Sequence, residues 1–143
     1  MNISQQGVDF IKLHEGCRLT AYEDTGGVWT IGFGTTGSGI AKGLRITDKQ
    51  AEDFLRRDLT AAEKCVNNSV RVDMSQSMFD ALVSFVYNVG CGAFGKSTLL
   101  RKLNSGYDDD EVAKEFLRWI YDNGKIIAGL RTRRKDEQEL FLS

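Results

Sequence analysis

The chain has 143 residues, 41% hydrophobic and 27% charged, and its 19 basic and 20 acidic side chains leave a net charge of -1. A chain on the usual domain scale of about 100 to 150 residues can bury a real core. The composition excludes a disordered chain, no apolar run approaches the roughly 18 to 20 residues of a membrane span, and the charge offers no broad handle for nucleic acid.

The opening segment, MNISQQGVDF, lacks the basic and apolar regions of a signal peptide, so synthesis in a cytoplasm is expected. Ser4 can cap a short helix to about His14, with Ile3, Val8 and Ile11 inward and Gly16 as its stop, which leaves Glu15 at the helix end. From Arg18 to about Ile46, the runs LTAY, VWTIGF and LRI, separated by TGG and GSG, predict a small antiparallel sheet, the only β-like region of the chain. Thr47 and Gln50 form a capping-box signature before a helix carrying Ala51, Leu55 and Leu59, expected to reach about Val66. Ser75 or Ser77 opens a strongly apolar helix, broken at Gly90, Gly92 and Gly95. Ser97 caps TLLRKLN, the acidic run DDDE starts a helix through VAKEFLRWIY that ends at Asn123 and Gly124, and a last helix covers Leu130 to about Leu142. The expected architecture is α+β and mostly helical, a single domain over residues 1–143 with a β-rich lobe at about 17–46, a helical remainder and a cleft between them.

Cys17, Cys65 and Cys91 form no CxxC pair and meet a single histidine, so a zinc site is not expected. Their odd number fits reduced thiols better than a disulfide framework. The basic cluster Arg131, Arg133, Arg134 and Lys135 reads as a solvated helix face paired with Asp136, Glu137 and Glu139, in preference to a nucleic-acid patch.

Two carboxylates of the stretch HEGCRLTAYEDTGGVWTIGFG, residues 14–34, suggest chemistry. Glu15 sits where the partial negative charge of a helix C-terminus favours a proton-holding carboxyl, the form a general acid needs. Asp24 lies beside Gly26 and Gly27 in a turn rich in backbone donors, with Thr30 on the next strand. A protonated carboxyl opposed to an ionised one is the arrangement that cleaves glycosidic bonds. The plainer roles are a helix-end residue, an Asx-turn residue and a cross-strand side chain.

Glu15, eight residues, Asp24, five residues and Thr30, within that stretch, resemble the catalytic signature of the phage-type lysozymes, the endolysins of glycoside hydrolase family 24. SFVYNVGCGAFGKSTLLRKLN, residues 84–104, resembles that family's central helix and following loop, and GLRTRRKDEQELF, residues 129–141, its C-terminal motif.

The resemblance implies a muramidase that cuts the bond between N-acetylmuramic acid and N-acetylglucosamine in bacterial peptidoglycan. Glu15 would be the general acid, with Asp24 and Thr30 positioning the water or stabilising developing positive charge. Tyr87 and Asn88 match positions that line the substrate cleft of relatives, the amide suited to N-acetyl groups; a core aromatic and a helix-end cap are the alternatives. Arg133 matches a position expected to approach and orient the catalytic glutamate, with a surface ion pair to Glu137 as the alternative. Trp119 reads as a core residue and His14 as a helix-terminal cation. Thr35 stands where many relatives carry a histidine, so an ion pair built on that side chain is absent. The implied protein is a monomer without cofactor, metal, nucleic-acid partner or membrane insertion, released to the periplasm and wall of its host by a holin-like protein. A lytic transglycosylase, a non-catalytic peptidoglycan-binding domain and a chitin-directed enzyme remain open, as do host, stereochemistry and release route.

Overall fold

A computed structural model describes residues 1–143, which fall into two compact units, residues 8–60 and residues 1–7 with 61–143. No helix is long and apolar enough to cross a membrane.

In the smaller unit, α1 (Gln5–Glu15) buries Val8 and Ile11, three residues apart on one face. β1 (Arg18–Glu23) pairs antiparallel with β2 (Trp29–Gly32), with Tyr22 opposite Thr30 and Glu23 opposite Trp29. The expected third strand does not form. Leu44, Arg45 and Ile46 make only a bridge to β1, with Ala21 N donating to Leu44 O at 2.9 Å and Ile46 N to Leu19 O at 2.9 Å. The glycines at positive φ in this loop, Gly37, Gly39 and Gly43, turn the chain too often for a longer ladder. α2 (Asp48–Ser69) starts at the expected capping box: Gln50 Oε1 accepts from Thr47 N at 2.9 Å, and Thr47 Oγ1 from Gln50 N at 3.2 Å. Its first half buries Ala51, Leu55 and Leu59, four residues apart.

In the larger unit, Ser4 caps α1 through Gly7 N at 3.0 Å, while its own N–H and hydroxyl both donate to Asp80. Gly7 is required there, because a Cβ would lie 2.6 Å from Asp80 Cγ. α3 (Gln76–Val89), capped by Ser75 through Met78 N at 3.1 Å, buries every residue from Phe79 to Val86 and is the central helix of this unit. α4 (Cys91–Gly95) and α5 (Thr98–Asn104) follow, the latter capped by Ser97 through Leu100 N at 3.1 Å. α6 (Asp109–Lys114) begins at the acidic run, as expected. α7 (Ala128–Leu142) packs on α3. Phe85 centres the core, edge-on to Phe94, Phe116 and Trp119 at 6.2, 5.3 and 5.5 Å.

Three expectations are corrected here. The helix through VAKEFLRWIY stops early: α6 tightens to a 3-10 turn over Glu115–Arg118, and the chain then forms a second hairpin, β3 (Tyr121–Asp122) with β4 (Lys125–Ile126). Asn123 (φ 50) and Gly124 (φ 76) make its two-residue turn, which needs positive φ at both positions. Cys65 and Cys91 are joined in a disulfide between the second half of α2 and the start of α4, with Cα atoms 6.0 Å apart, and only Cys17 is a free thiol. The basic cluster is not a solvated face either: Arg133 and Arg134 are buried with Glu137, because consecutive helical positions place both guanidiniums within reach of one carboxylate.

Candidate active site

Glu15 is the last residue of α1 and is half-buried. Gly16 (φ 70) ends the helix, its N–H bonding Lys12 O at 3.1 Å, and the chain enters β1 two residues later. Cys17, beside this junction, is exposed; partial burial, then the charge of Asp48, push its thiol upward against the pull of Lys12. The His14 ring lies 4.9 Å from that of Phe10, one turn back on the same helix.

Asp24 lies in the turn between β1 and β2. Its Oδ1 accepts from Gly26 N at 2.8 Å and from Val28 N at 2.9 Å, and its own N–H donates to Val28 O at 2.9 Å. The Asx-turn geometry is therefore present, and it fixes the carboxylate. Oδ2 has no hydrogen-bond partner within the chain, and the residue is exposed. Thr30 is buried on β2, and its hydroxyl donates to Val28 O at 3.0 Å. With its hydrogen spent there, the Thr30 oxygen retains lone pairs to accept a further hydrogen bond. Asp24 and Thr30 are thus both bonded to the backbone of Val28, one to its N–H and the other to its carbonyl, with Asp24 Oδ2 and the lone pairs of Thr30 Oγ1 left over. Such a pair can orient a water molecule and accept its proton.

Behind this hairpin, Thr35 is buried and its hydroxyl donates to Asp58 Oδ2 at 2.6 Å. This hydrogen bond ties the chain just after β2 to α2.

The remaining sequence candidates belong to the larger unit. Tyr87 is half-buried and Asn88 exposed, both near the end of α3. Asn88 Oδ1 accepts from Arg134 at 2.6 Å. Asn88 also lines a cavity of about 540 Å³ whose apolar wall is Val89, Trp119, Ile127 and Leu130. Trp119 is half-buried, so it serves both the core, against Phe85, and this cavity. Arg133 does pair with Glu137, at 3.3 Å, but the pair is buried, and Arg133 also donates to Ser84 O at 3.2 Å. Glu137 further accepts from Ser84 Oγ at 2.6 Å, and Arg134 Nε lies 2.8 Å from its other oxygen. Burial pushes the Glu137 carboxyl upward, opposed by Arg134, Arg133 and the Ser84 hydrogen bond. Arg134 is the residue the sequence reading passed over. Its one available signal was the Arg133–Arg134 doublet, which looks the same on a solvated helix.

No three His, Cys, Asp or Glu side chains are grouped to hold a metal ion. The chemistry on offer is that of carboxyls, hydroxyls and amides.

Comparison with known proteins gives these features a lineage. The family model described as phage lysozyme matches residues 12–137, from just before Glu15 to Glu137. The endolysin of Bacillus phage PZA is 48% identical over the whole of this chain, which spans only 56% of that relative's length. Among solved structures, the muramidase domain of SpmX from Asticaccaulis excentricus superposes with a TM-score of 0.92 at 41% identity, covering 99% of this chain and 98% of that one. A variant of P22 lysozyme gives 0.91 at 38% identity, covering 100% of this chain and 99% of its own. Because the family match runs through both units and both the hairpin and the α3–α7 residues, the chain belongs to the phage lysozyme family.

Proposed function

We propose that this chain hydrolyses the β-1,4 bond between N-acetylmuramic acid and N-acetylglucosamine in bacterial peptidoglycan and so acts as an endolysin. Glu15 is the general acid that protonates the leaving oxygen, and Asp24 with Thr30 orients and deprotonates the attacking water. The observation that carries this reading is the shared anchor of the last two residues. Asp24 and Thr30 both bond to the Val28 backbone, which leaves Asp24 Oδ2 and the lone pairs of Thr30 Oγ1 for a ligand. Arg133 steadies the buried network of α7, and Tyr87 with Asn88 contacts the glycan. The protein works as a monomer, reaches the wall from the cytoplasm once a separate holin-like protein opens the membrane, and needs no cofactor.

The test is mass spectrometry of fragments released from purified peptidoglycan, with borohydride reduction to identify the sugar at the new end. Reducing muramic acid ends support the proposal. Anhydro ends would reassign the chain as a lytic transglycosylase and remove the water-activating role of Asp24 and Thr30. Retention on the glycan without release would make it a binding domain.

A further inference from the structure

We propose that a groove of the larger unit, formed where the end of α2, the turn between α4 and α5, and α5 itself meet, binds the phosphodiester groups of a polyol phosphate polymer carried by the bacterial wall. The proposal rests on the peptidoglycan reading above for where the protein works. It adds a second contact with the wall, through a groove that shares no lining residue with the cavity beside Asn88.

The groove has a volume of about 680 Å³, and Arg71, Lys96 and Arg101 line it with no carboxylate among its walls. All three are exposed, and none of their side chains makes an ion pair or hydrogen bond within the chain. Elsewhere in this unit Lys102 and Arg118 share Glu115, Lys114 meets Glu111, and Arg133 and Arg134 meet Glu137. On a chain of net charge -1 the groove is therefore a local departure from balance. A concave surface lined by one sign of charge focuses the field and concentrates counter-ions. Its shape is fixed from within. Asn104 Nδ2 donates to Ser69 O at 2.9 Å and its Oδ1 accepts from Arg71 N at 2.8 Å, which ties the chain after α2 to the end of α5. Ser97 Oγ donates to Phe94 O at 2.7 Å, and Ser105 Oγ to Arg101 O at 2.7 Å. These polar groups are spent within the fold, whereas the three cations remain for a ligand, with the Asn68 amide and the Thr98 hydroxyl beside them.

Guanidiniums match the paired oxygens of a phosphate, and an ammonium adds a point charge. A single exposed pair of this kind contributes little, so affinity requires one chain that brings several phosphates at once. A polyol phosphate does so, and its hydroxyls suit Asn68 and Thr98. Other anions fit less well. A nucleic acid strand stacks its bases on aromatic rings, and no aromatic residue lines the groove. A lipid headgroup brings a bilayer for apolar side chains to enter, and the exposed large hydrophobic residues of the chain all lie outside the lining. A stem peptide carries ammonium groups beside its carboxylates, and the lining has no acid to receive them.

The experiment uses the Glu15→Gln protein, so that binding is read without turnover. Soluble polyglycerol phosphate is titrated into it, and the protein is sedimented with walls that carry such a polymer and with purified walls from which hydrofluoric acid has removed it. Affinity for the polymer is expected to exceed that for monomeric glycerol phosphate by about tenfold or more. The logarithm of that affinity should fall with the logarithm of salt at a slope of about -2, the counter-ion release of three phosphates on a flexible strand. Adding Arg71→Gln, Lys96→Gln and Arg101→Gln should lower retention on the polymer-bearing walls about tenfold, to the level of the purified walls. In the Glu15 background the same three changes should leave lysis of purified walls unaltered, since the groove has no partner there. The melting temperature of the triple variant should match that of its parent, and the single variants carry the same comparison if it does not. Undiminished polymer binding by the variants overturns the proposal, as does equal affinity for monomeric glycerol phosphate, or tighter binding to phosphatidylglycerol vesicles or to an oligonucleotide. Failure of the wild-type protein to release glycan fragments would count against the hydrolase reading alone, since polymer binding is measured without turnover.

Discussion

Val28 has no reactive side chain, yet its backbone N–H and carbonyl both serve the candidate site. Its N–H orients Asp24, and its carbonyl accepts from both the Asp24 N–H and the Thr30 hydroxyl. A consequence can be measured on the variant Asp24→Asn. The amide oxygen can keep the bonds to Gly26 and Val28, so the turn should survive, with a melting temperature close to that of the parent. The proposed base is lost, and kcat should fall by about 100-fold or more, on the scale of general-base catalysis. Glu15→Gln should likewise keep the fold and abolish lysis, because an amide cannot donate the required proton; residual turnover near the parent rate would remove Glu15 from the acid role. Cys17, so close in sequence to Glu15, invites the idea of a reactive thiol. Burial and Asp48 push its thiol upward, so less thiolate is present at neutral pH. Alkylation by iodoacetamide should therefore be slower at pH 7 than for an unstructured cysteine peptide, and its pH profile should lie above the ordinary value of about 8.5. An equal rate would contradict this.

At the scale of elements, two ties set the stability of separate parts. The Cys65–Cys91 disulfide closes a loop of 26 residues between α2 and α4. On the chain-entropy scale a loop of that length is worth about 3.5 kcal/mol, so the Cys65→Ala/Cys91→Ala protein should unfold at markedly lower guanidinium concentration. In the smaller unit, Glu52 of α2 bonds Lys12 of α1 and Arg56 of its own helix. The Lys12 hydrogen bond, aided by Arg56 and opposed by burial, holds the Glu52 carboxyl below its usual range. A lowered folded-state value contributes stability that is complete above the unfolded value of about 4.3 and is lost as pH falls through the folded one. The acid limb of the stability curve should therefore be shallower in Glu52→Gln than in the parent. These elements differ in how far the sequence disclosed them. Helix starts at Ser4, Thr47, Ser75 and Ser97 were legible because a cap is a local bond between neighbours in sequence. The β3–β4 hairpin carried its own sign, Asn123–Gly124, but the same dipeptide also ends helices, and the apolar spacing before it suited a helix. The disulfide and the burial of Arg133, Arg134 and Glu137 were not legible, since both depend on partners brought together across the fold. Asp24 and Thr30 could be found by spacing, while their common anchor at Val28 needed the turn itself.

At the scale of the whole molecule, charge separates this chain from an enzyme that finds its target by attraction. Its 19 basic and 20 acidic residues give -1 overall, and bacterial walls are anionic. Long-range attraction then supplies little, and several cations are already committed within the fold: Arg133 and Arg134 to Glu137, Lys12 to Glu52, and Lys102 to Glu115. On the proposed function, binding comes from short-range contacts, which salt screens weakly because they act well inside the Debye length of about 10 Å at 0.1 M. Lytic activity on purified walls should accordingly change little between low salt and about 0.2 M, in contrast to the steep decline shown by attraction-driven association. A steep decline would instead mean that a local cluster of unpaired cations governs encounter with the wall. Combined variants of Arg71, Lys96 and Arg101, which line one groove of the larger unit, would then be the place to look for it.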